Sequence, residues 1–165
     1  KGNKSDERLL DETALFLHQV VDKMDEKKQQ LIRKLHDKEA VFDGKQILLV
    51  DDDMRNVFAL TRILSEHNMG VVEAENGLVA LEQLEKHPDI DLVLMDVMMP
   101  EMDGYTATKE IRKISEFTNL PIIQLTAKAM KEDREKSIAS GASDYLTKPI
   151  DVDKLLSLIR VWLYK

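Results

Sequence analysis

The sequence predicts an α/β fold: a doubly wound, all-parallel five-stranded sheet preceded by a helical N-terminal segment. Two observations carry this. Beyond Gly44, short apolar runs alternate with amphipathic stretches, the rhythm of a parallel sheet covered on both faces by helices. Before it, from Asp6 to Lys38, there is neither proline nor glycine, and apolar residues recur at helical spacing.

In chain order, Leu10, Leu17, Met24 and Leu31 keep a seven-residue step, with Ala14, Val21 and Leu35 on the companion step. This pattern suits a coiled-coil seam, although Lys28 interrupts it. The polar stretch Asp25 to Gln30 fits equally well as a turn between two antiparallel helices, so one long helix and a helix pair both stand. Gly44 is the stop signal. The predicted strands are Ile47 to Asp51, Val71 to Glu73, Leu92 to Asp96, Ile122 to Leu125 and Asp144 to Leu146, too short and too apolar for surface helices. The predicted helices lie near Met54 to Glu66, Gly77 to Lys86, Tyr105 to Ser115, Met130 to Ser140 and Asp151 to Leu163. Right-handed crossovers arrange these as a flavodoxin-like (βα)5 sheet of order 2-1-3-4-5.

Composition narrows the function. The 165 residues suffice for one domain with a full core and an appendage. A net charge of -7 makes this piece a poor ligand for nucleic acid. No apolar run approaches the roughly 18 residues of a membrane span. Without cysteine there are no disulfides, thiolate metal sites or thiol nucleophiles. A cytoplasmic location is the default expectation, with any membrane anchor placed elsewhere in a longer protein. The opening Lys1-Gly2-Asn3, with no initiator methionine, reads as a fragment.

In an open parallel sheet, ligands bind beyond the carboxyl ends of the strands where the strand order reverses. The chemistry-bearing residues collect at that edge: Asp51, Asp52 and Asp53 after strand one, Asp96 ending strand three, Thr126 after strand four and Lys148 after strand five. Carboxylates held together repel by about 4 kcal/mol per pair at ~4 Å and an effective dielectric near 20. A hard cation offsets this, and oxygen-only ligands select Mg2+ or Mn2+ over zinc. Asp51, Asp52 and Asp96 are the expected metal ligands. Asp96 can then act as a nucleophile toward phosphorus, with Lys148 offsetting charge on the transferring oxygens and Thr126 donating its hydroxyl to one of them. Taken singly, each residue has a plain structural alternative: the acids as a helix N-cap and solvated loop, Thr126 as a cap, Lys148 as a surface lysine. Their convergence on one edge argues for the site.

The blocks Leu-Leu-Val-Asp51-Asp52-Asp53, Leu-Met-Asp96-Val-Met-Met-Pro-Glu-Met-Asp-Gly104, Leu-Thr126-Ala127 and Gly141-Ala-Ser-Asp-Tyr145-Leu-Thr-Lys148-Pro149 resemble the receiver domain of response regulators in two-component signalling. The resemblance spans about 120 residues, each block falling in order at its strand end. It implies phosphorylation of Asp96 by a histidine kinase or a histidine phosphotransfer protein, an acidic pair at Asp51 and Asp52, and a metal contact through the main-chain carbonyl of Met98. It further implies phosphate binding by Lys148, a switch through Thr126 and Tyr145, and a cis bond at Lys148-Pro149. Met98 and Lys128 fall where family members control access of hydrolytic water, and methionine there implies a long-lived phosphoryl group. Residues 44–165 are read as the receiver domain and 1–43 as a helical linker. The C-terminal stretch Asp-Val-Asp-Lys-Leu-Leu-Ser-Leu-Ile-Arg-Val-Trp-Leu is most similar to receivers attached to hybrid histidine kinases. The alternative is a separate response regulator whose N-terminal helix forms a homodimer.

Two other functions compete. A haloacid-dehalogenase-like phosphatase also uses an aspartyl phosphate, but wants a second acid where Met98 stands. A degenerate scaffold would not need the intact acid set. His18, His36, His67 and His87 read as helix-face or surface residues, and no glycine-rich nucleotide loop is present. Gln124, inside an apolar strand, demands buried partners that the sequence does not identify.

Overall fold

The computed structural model describes residues 40–127 and 130–164, together with Glu26. The expected heptads, the choice between one helix and two, His18, His36 and Lys128 lie outside the described residues. The compact unit Val41–Lys165 alternates strands β1 (Gln46–Val50), β2 (Gly70–Ala74), β3 (Leu92–Asp96), β4 (Ile122–Thr126) and β5 (Asp144–Thr147) with helices α1 (Met54–Glu66), α2 (Gly77–Lys86), α3 (Gly104–Lys113), α4 (Lys131–Ser140) and α5 (Val152–Leu163). A 3-10 turn, Ser115–Phe117, follows α3. The strands are all parallel in the order β2-β1-β3-β4-β5, the predicted topology.

The three central strands bury both faces, and successive residues serve opposite sides. Ile47 and Leu49 of β1 join Leu60 and Leu64 of α1 and Leu155, Leu156 and Ile159 of α5 in one apolar cluster. Leu48 and Val50 join Ala80 and Leu84 of α2 and Ala107 and Ile111 of α3 in the other. Helix α4 supplies no residue to either cluster. Phe42, which the sequence reading placed in the linker, is fully buried in the first cluster. His67 meets its ring edge-on at 5.6 Å, and the Arg160 guanidinium lies over it at 5.2 Å.

Helices α1 and α2 have the predicted bounds, the other three differ by a residue or two, and capping explains the starts of α3 and α5. Asp103 accepts the Thr106 amide and Asp151 those of Asp153 and Lys154, so α3 begins at Gly104 rather than Tyr105 and α5 at Val152 rather than Asp151. Met130 occupies the cap position of α4 without a side-chain hydrogen bond. Gly44 takes a φ of 73°, the left-handed conformation that glycine adopts without a Cβ penalty. His67 and His87 are the C-cap residues of α1 and α2.

Candidate functional site

The three acids after β1 divide between structure and chemistry. Asp53 is the N-cap of α1, accepting the Arg55 amide at 3.0 Å, and its side chain also takes the Arg55 guanidinium at 3.0 Å. Those hydrogen bonds hold the Asp53 carboxyl below the usual carboxylate range. The cap alternative therefore accounts for Asp53 alone. Asp51 is buried, one carboxylate oxygen accepting the Asp53 amide at 2.8 Å. Its Oδ2 is buried without a hydrogen-bond partner among the described residues. Asp52 is exposed at the rim.

Asp96, the last residue of β3, is 5% exposed. Lys148 reaches it from the end of β5, Nζ standing 3.0 Å from Asp96 Oδ1 and 3.8 Å from Asp51 Oδ2. Burial raises the Asp96 carboxyl above its ordinary value; the Lys148 hydrogen bond opposes this, and the neighbouring Asp51 and Asp52 add to it. Oxygens of Asp51, Asp52 and Asp96 lie within 4.8 Å of one another. Such a set, with one buried oxygen lacking a hydrogen-bond donor among the described residues, fits a hard divalent cation.

Thr126 ends β4, 4% exposed, and its carbonyl accepts the Lys148 amide at 2.7 Å. The Lys148-Pro149 peptide is cis, as the resemblance implies. Tyr145 is half-buried on β5, with the Arg134 guanidinium of α4 5.7 Å from its ring centroid. Met98, two residues beyond Asp96, is 73% exposed.

Three structural residues, of which only Gly104 adjoins the site, were not assigned roles from sequence. Gly104 packs so closely that a Cβ there would stand 2.3 Å from the Asp96 carbonyl oxygen, which explains a glycine opening α3. Arg112 donates to the carbonyls of Gly141, Phe117 and Leu120 at 2.9, 2.8 and 2.6 Å, stapling the turn after α4 to the end of α3. Burial lowers its pKa. Gln124, fully buried, donates to Thr108 Oγ1 of α3 and Ser140 Oγ of α4, each at 2.9 Å. The spacing of Gly104 after Asp96 carried a signal for the first; the partners of Arg112 and Gln124 are far along the chain and left none.

A doubly wound sheet with acids, a hydroxyl and a lysine at the switch between β1 and β3 belongs to the class of phosphoryl-accepting α/β domains. Residues 47–160 match the family model of the response regulator receiver domain. The chain belongs to this family and is a receiver domain of two-component signalling. It is 42% identical over 116 residues to the protein PilH of Pseudomonas aeruginosa, covering 69% of this chain and 93% of that one. It is 36% identical over 115 residues to the sensor histidine kinase CheAY of Helicobacter pylori, covering 69% of this chain but 14% of the kinase. Among solved structures, the receiver domain of a Pseudomonas aeruginosa sensor histidine kinase, described with a magnesium ion coordinated in its active-site cleft, superposes with a TM-score of 0.69 at 35% identity, covering 74% of this chain and 99% of that one. The chain thus spans nearly all of a small relative and a small part of a long kinase. Receiver domains bind Mg2+ in their acidic site and exchange phosphoryl groups with histidine kinases or phosphotransfer proteins, and the acid cluster for such an ion is present here. No helix among the described residues is long and apolar enough to cross a membrane.

Proposed function

We propose that Asp96 takes a phosphoryl group from a phosphohistidine of a histidine kinase or a histidine phosphotransfer protein. The observation that carries this is the contact of Lys148 Nζ with Asp96 Oδ1 at 3.0 Å, inside a group of three carboxylates with one buried oxygen that has no hydrogen-bond donor among the described residues. An Asp96 oxygen attacks phosphorus, an acyl phosphate bond forms, and the bond from phosphorus to the histidine nitrogen breaks, returning its electron pair to the imidazole. Lys148 is then placed to stay with the transferred oxygens rather than the carboxylate. Asp51, Asp52, Asp96 and the main-chain carbonyl of Met98 would hold Mg2+ or Mn2+, which when bound supplies positive charge against the clustered carboxylates and the phosphoryl oxygens.

Thr126 and Tyr145 form the proposed switch, the hydroxyl turning to the phosphate and the ring following inward. Tyr145 starts half-buried beneath Arg134, an arrangement such a change would have to break. Met98 and Lys128 are the proposed regulators of lifetime. The exposed thioether of Met98 offers no hydrogen bond of use in orienting an attacking water. In the longer protein, residues 44–165 act as a receiver and 1–43 as its helical linker, and the short share of CheAY covered suits a domain within a hybrid histidine kinase. The PilH match, 93% of that protein, keeps a second reading: a separate response regulator in which the N-terminal helix serves a homodimer. We propose no contact of this piece with nucleic acid or membrane and a cytoplasmic location for it, with any membrane anchor lying elsewhere in a longer protein.

Intact-mass measurement after acetyl phosphate and Mg2+ tests the core of this. One phosphoryl adduct is expected, dependent on Mg2+ and missing in Asp96→Asn; its decay should be slower than in Met98→Asn by about tenfold, or about 1.4 kcal/mol of barrier. An adduct that survives Asp96→Asn would move the acceptor elsewhere.

A further inference from the structure

The amide of Gln124 has a decided orientation. Thr108 Oγ1 donates to the Gly104 carbonyl at 2.6 Å and Ser140 Oγ to the Ser137 carbonyl at 2.7 Å. Both hydroxyl protons are therefore used, so the atom facing both hydroxyls must be a donor. That atom is Nε2, whose two protons match the two acceptors at 2.9 Å each. The carbonyl end, Oε1, is buried with no hydrogen-bond partner among the described residues. An apolar strand residue would avoid that cost, so the amide must bring something packing does not.

The bonds run on in both directions. Gly104 donates its own amide to the Val97 carbonyl at 2.9 Å, and its Cα lies tight against the main chain of Asp96. A buried chain thus leads from the loop behind Asp96, through Gly104, Thr108, Gln124 and Ser140, to the last turn of α4. Thr108, Gln124 and Ser140 are at most 3% exposed. Its middle member lies on β4, two residues before Thr126 and in register with Tyr145. Helix α4 depends on such bonds, because its buried residues are Ser137 and Ser140 and its large apolar residue, Ile138, is 64% exposed.

We propose that Gln124 is a positioning residue of the switch, its buried amide tying α4 to the loop behind Asp96 so that α4 moves with that loop when the site is phosphorylated. The proposal rests on the reading of Asp96 as the acceptor. It assigns Gln124 no contact with phosphate or metal. A break at Gln124 should leave the helices folded, since Thr108 and Ser140 keep their bonds to their own helix carbonyls.

The test uses the full chain, with Gln124→Met, which keeps length and removes both donors, and Thr108→Val, which keeps shape and removes the acceptor. Hydrogen exchange is followed by mass spectrometry before and after acetyl phosphate and Mg2+, with the adduct measured in the same samples. In unphosphorylated Gln124→Met, amides of α4 should exchange about tenfold faster than in the native chain while β1 and β3 keep their protection, a local opening rather than global unfolding, whereas Thr108→Val, which keeps the bond from Gln124 to Ser140, should stay close to native in α4. After phosphorylation, the change seen in α4 of the native chain should be mostly lost in both variants, although the adduct still forms. Equal acceleration in β1, β3 and α4 would reduce Gln124 to a general stabiliser and overturn the proposal, as would an unaltered α4 response. If Gln124→Met fails to fold, Thr108→Val decides. A native chain that forms no adduct sinks the acceptor reading instead, while exchange of α4 in the unphosphorylated proteins still decides whether the tie exists.

Discussion

On one side of the sheet, α5 buries Leu155, Leu156 and Ile159 among residues of β1, β3 and β4. Beside β5, α4 buries only Ser137 and Ser140 and leaves Ile138 largely in solvent. The first helix is held by apolar area, at roughly 25 cal/mol for each Å² withdrawn from water. The second is held by directed polar contacts: Gln124 to Ser140, Arg112 to Gly141 at its end, and Arg134 over Tyr145. Close-packed apolar surface resists displacement because sliding opens voids along its whole length, whereas a helix held by a few hydrogen bonds is released when those few are lost. A helix attached in the second way can leave its seat as a unit without disturbing the core. The half of the molecule carrying α1 and α5 is therefore the more firmly packed side of the sheet, and α4 is the helix we propose responds to phosphorylation.

The largest expected effect breaks the firmly packed side. Leu155→Ala, at a position with no solvent exposure, should lower unfolding stability in urea by about 2–5 kcal/mol. Ile138→Ala on α4 should change it by less than about 0.5 kcal/mol, as for an exposed site. Similar losses from the two would mean that α4 is seated by apolar packing after all.

That contrast was only half legible in the sequence. The packed sheet was, because residues such as Leu48 and Leu49 fill opposite faces of a short buried run, and such runs between amphipathic stretches have few other readings. The site was legible for the same reason: Asp51, Asp96, Thr126 and Lys148 each sit at a strand end, so topology alone brings them together. Helix α4 was legible as a helix but not as a loosely seated one, because its hold comes from Gln124, 16 residues from Ser140, and from Arg112, 29 residues from Gly141. Side-chain hydrogen bonds over such separations have no period to announce them. Asp53 shows the converse, a local cap hidden among acids that looked equivalent until its bonds to Arg55 were seen.

A middle-sized effect concerns the charge set of the acidic site. With its folded pKa raised by burial, Asp96 holds its proton more tightly in the folded chain than in the unfolded one, where the value is about 3.9. Folded protein then binds more protons through the window above that value, so stability falls as pH rises and levels off beyond the folded pKa. In metal-free buffer at pH 7, Asp96→Asn should thus be more stable than the native chain by on the order of 1 kcal/mol. The difference should vanish below about pH 4, where the carboxyl is protonated in both states. Urea titrations across this range check it, and a variant less stable at pH 7 would mean that the Lys148 hydrogen bond outweighs burial and repulsion.

The smallest effect is confined to α4 and β5. Arg134 of α4 covers the Tyr145 ring at 5.7 Å, and an exposed cation over an aromatic face contributes about 0.5–1 kcal/mol. Arg134→Ala should therefore cost about that much locally, seen as faster exchange of amides in α4 and β5, while urea unfolding of the whole domain moves little. The consequence for the switch has the opposite sign to the loss of Gln124. Removing Arg134 takes away a contact that holds Tyr145 in its half-buried place, so the inward state is favoured and phosphorylation has less work to do. Fluorescence of Tyr145, read against a variant lacking the other tyrosines and Trp162, should shift toward its phosphorylated value in Arg134→Ala before any phosphate is added. An unshifted signal would show that the guanidinium rests on the ring without restraining it, and would leave the seating of α4 to Gln124 and Arg112.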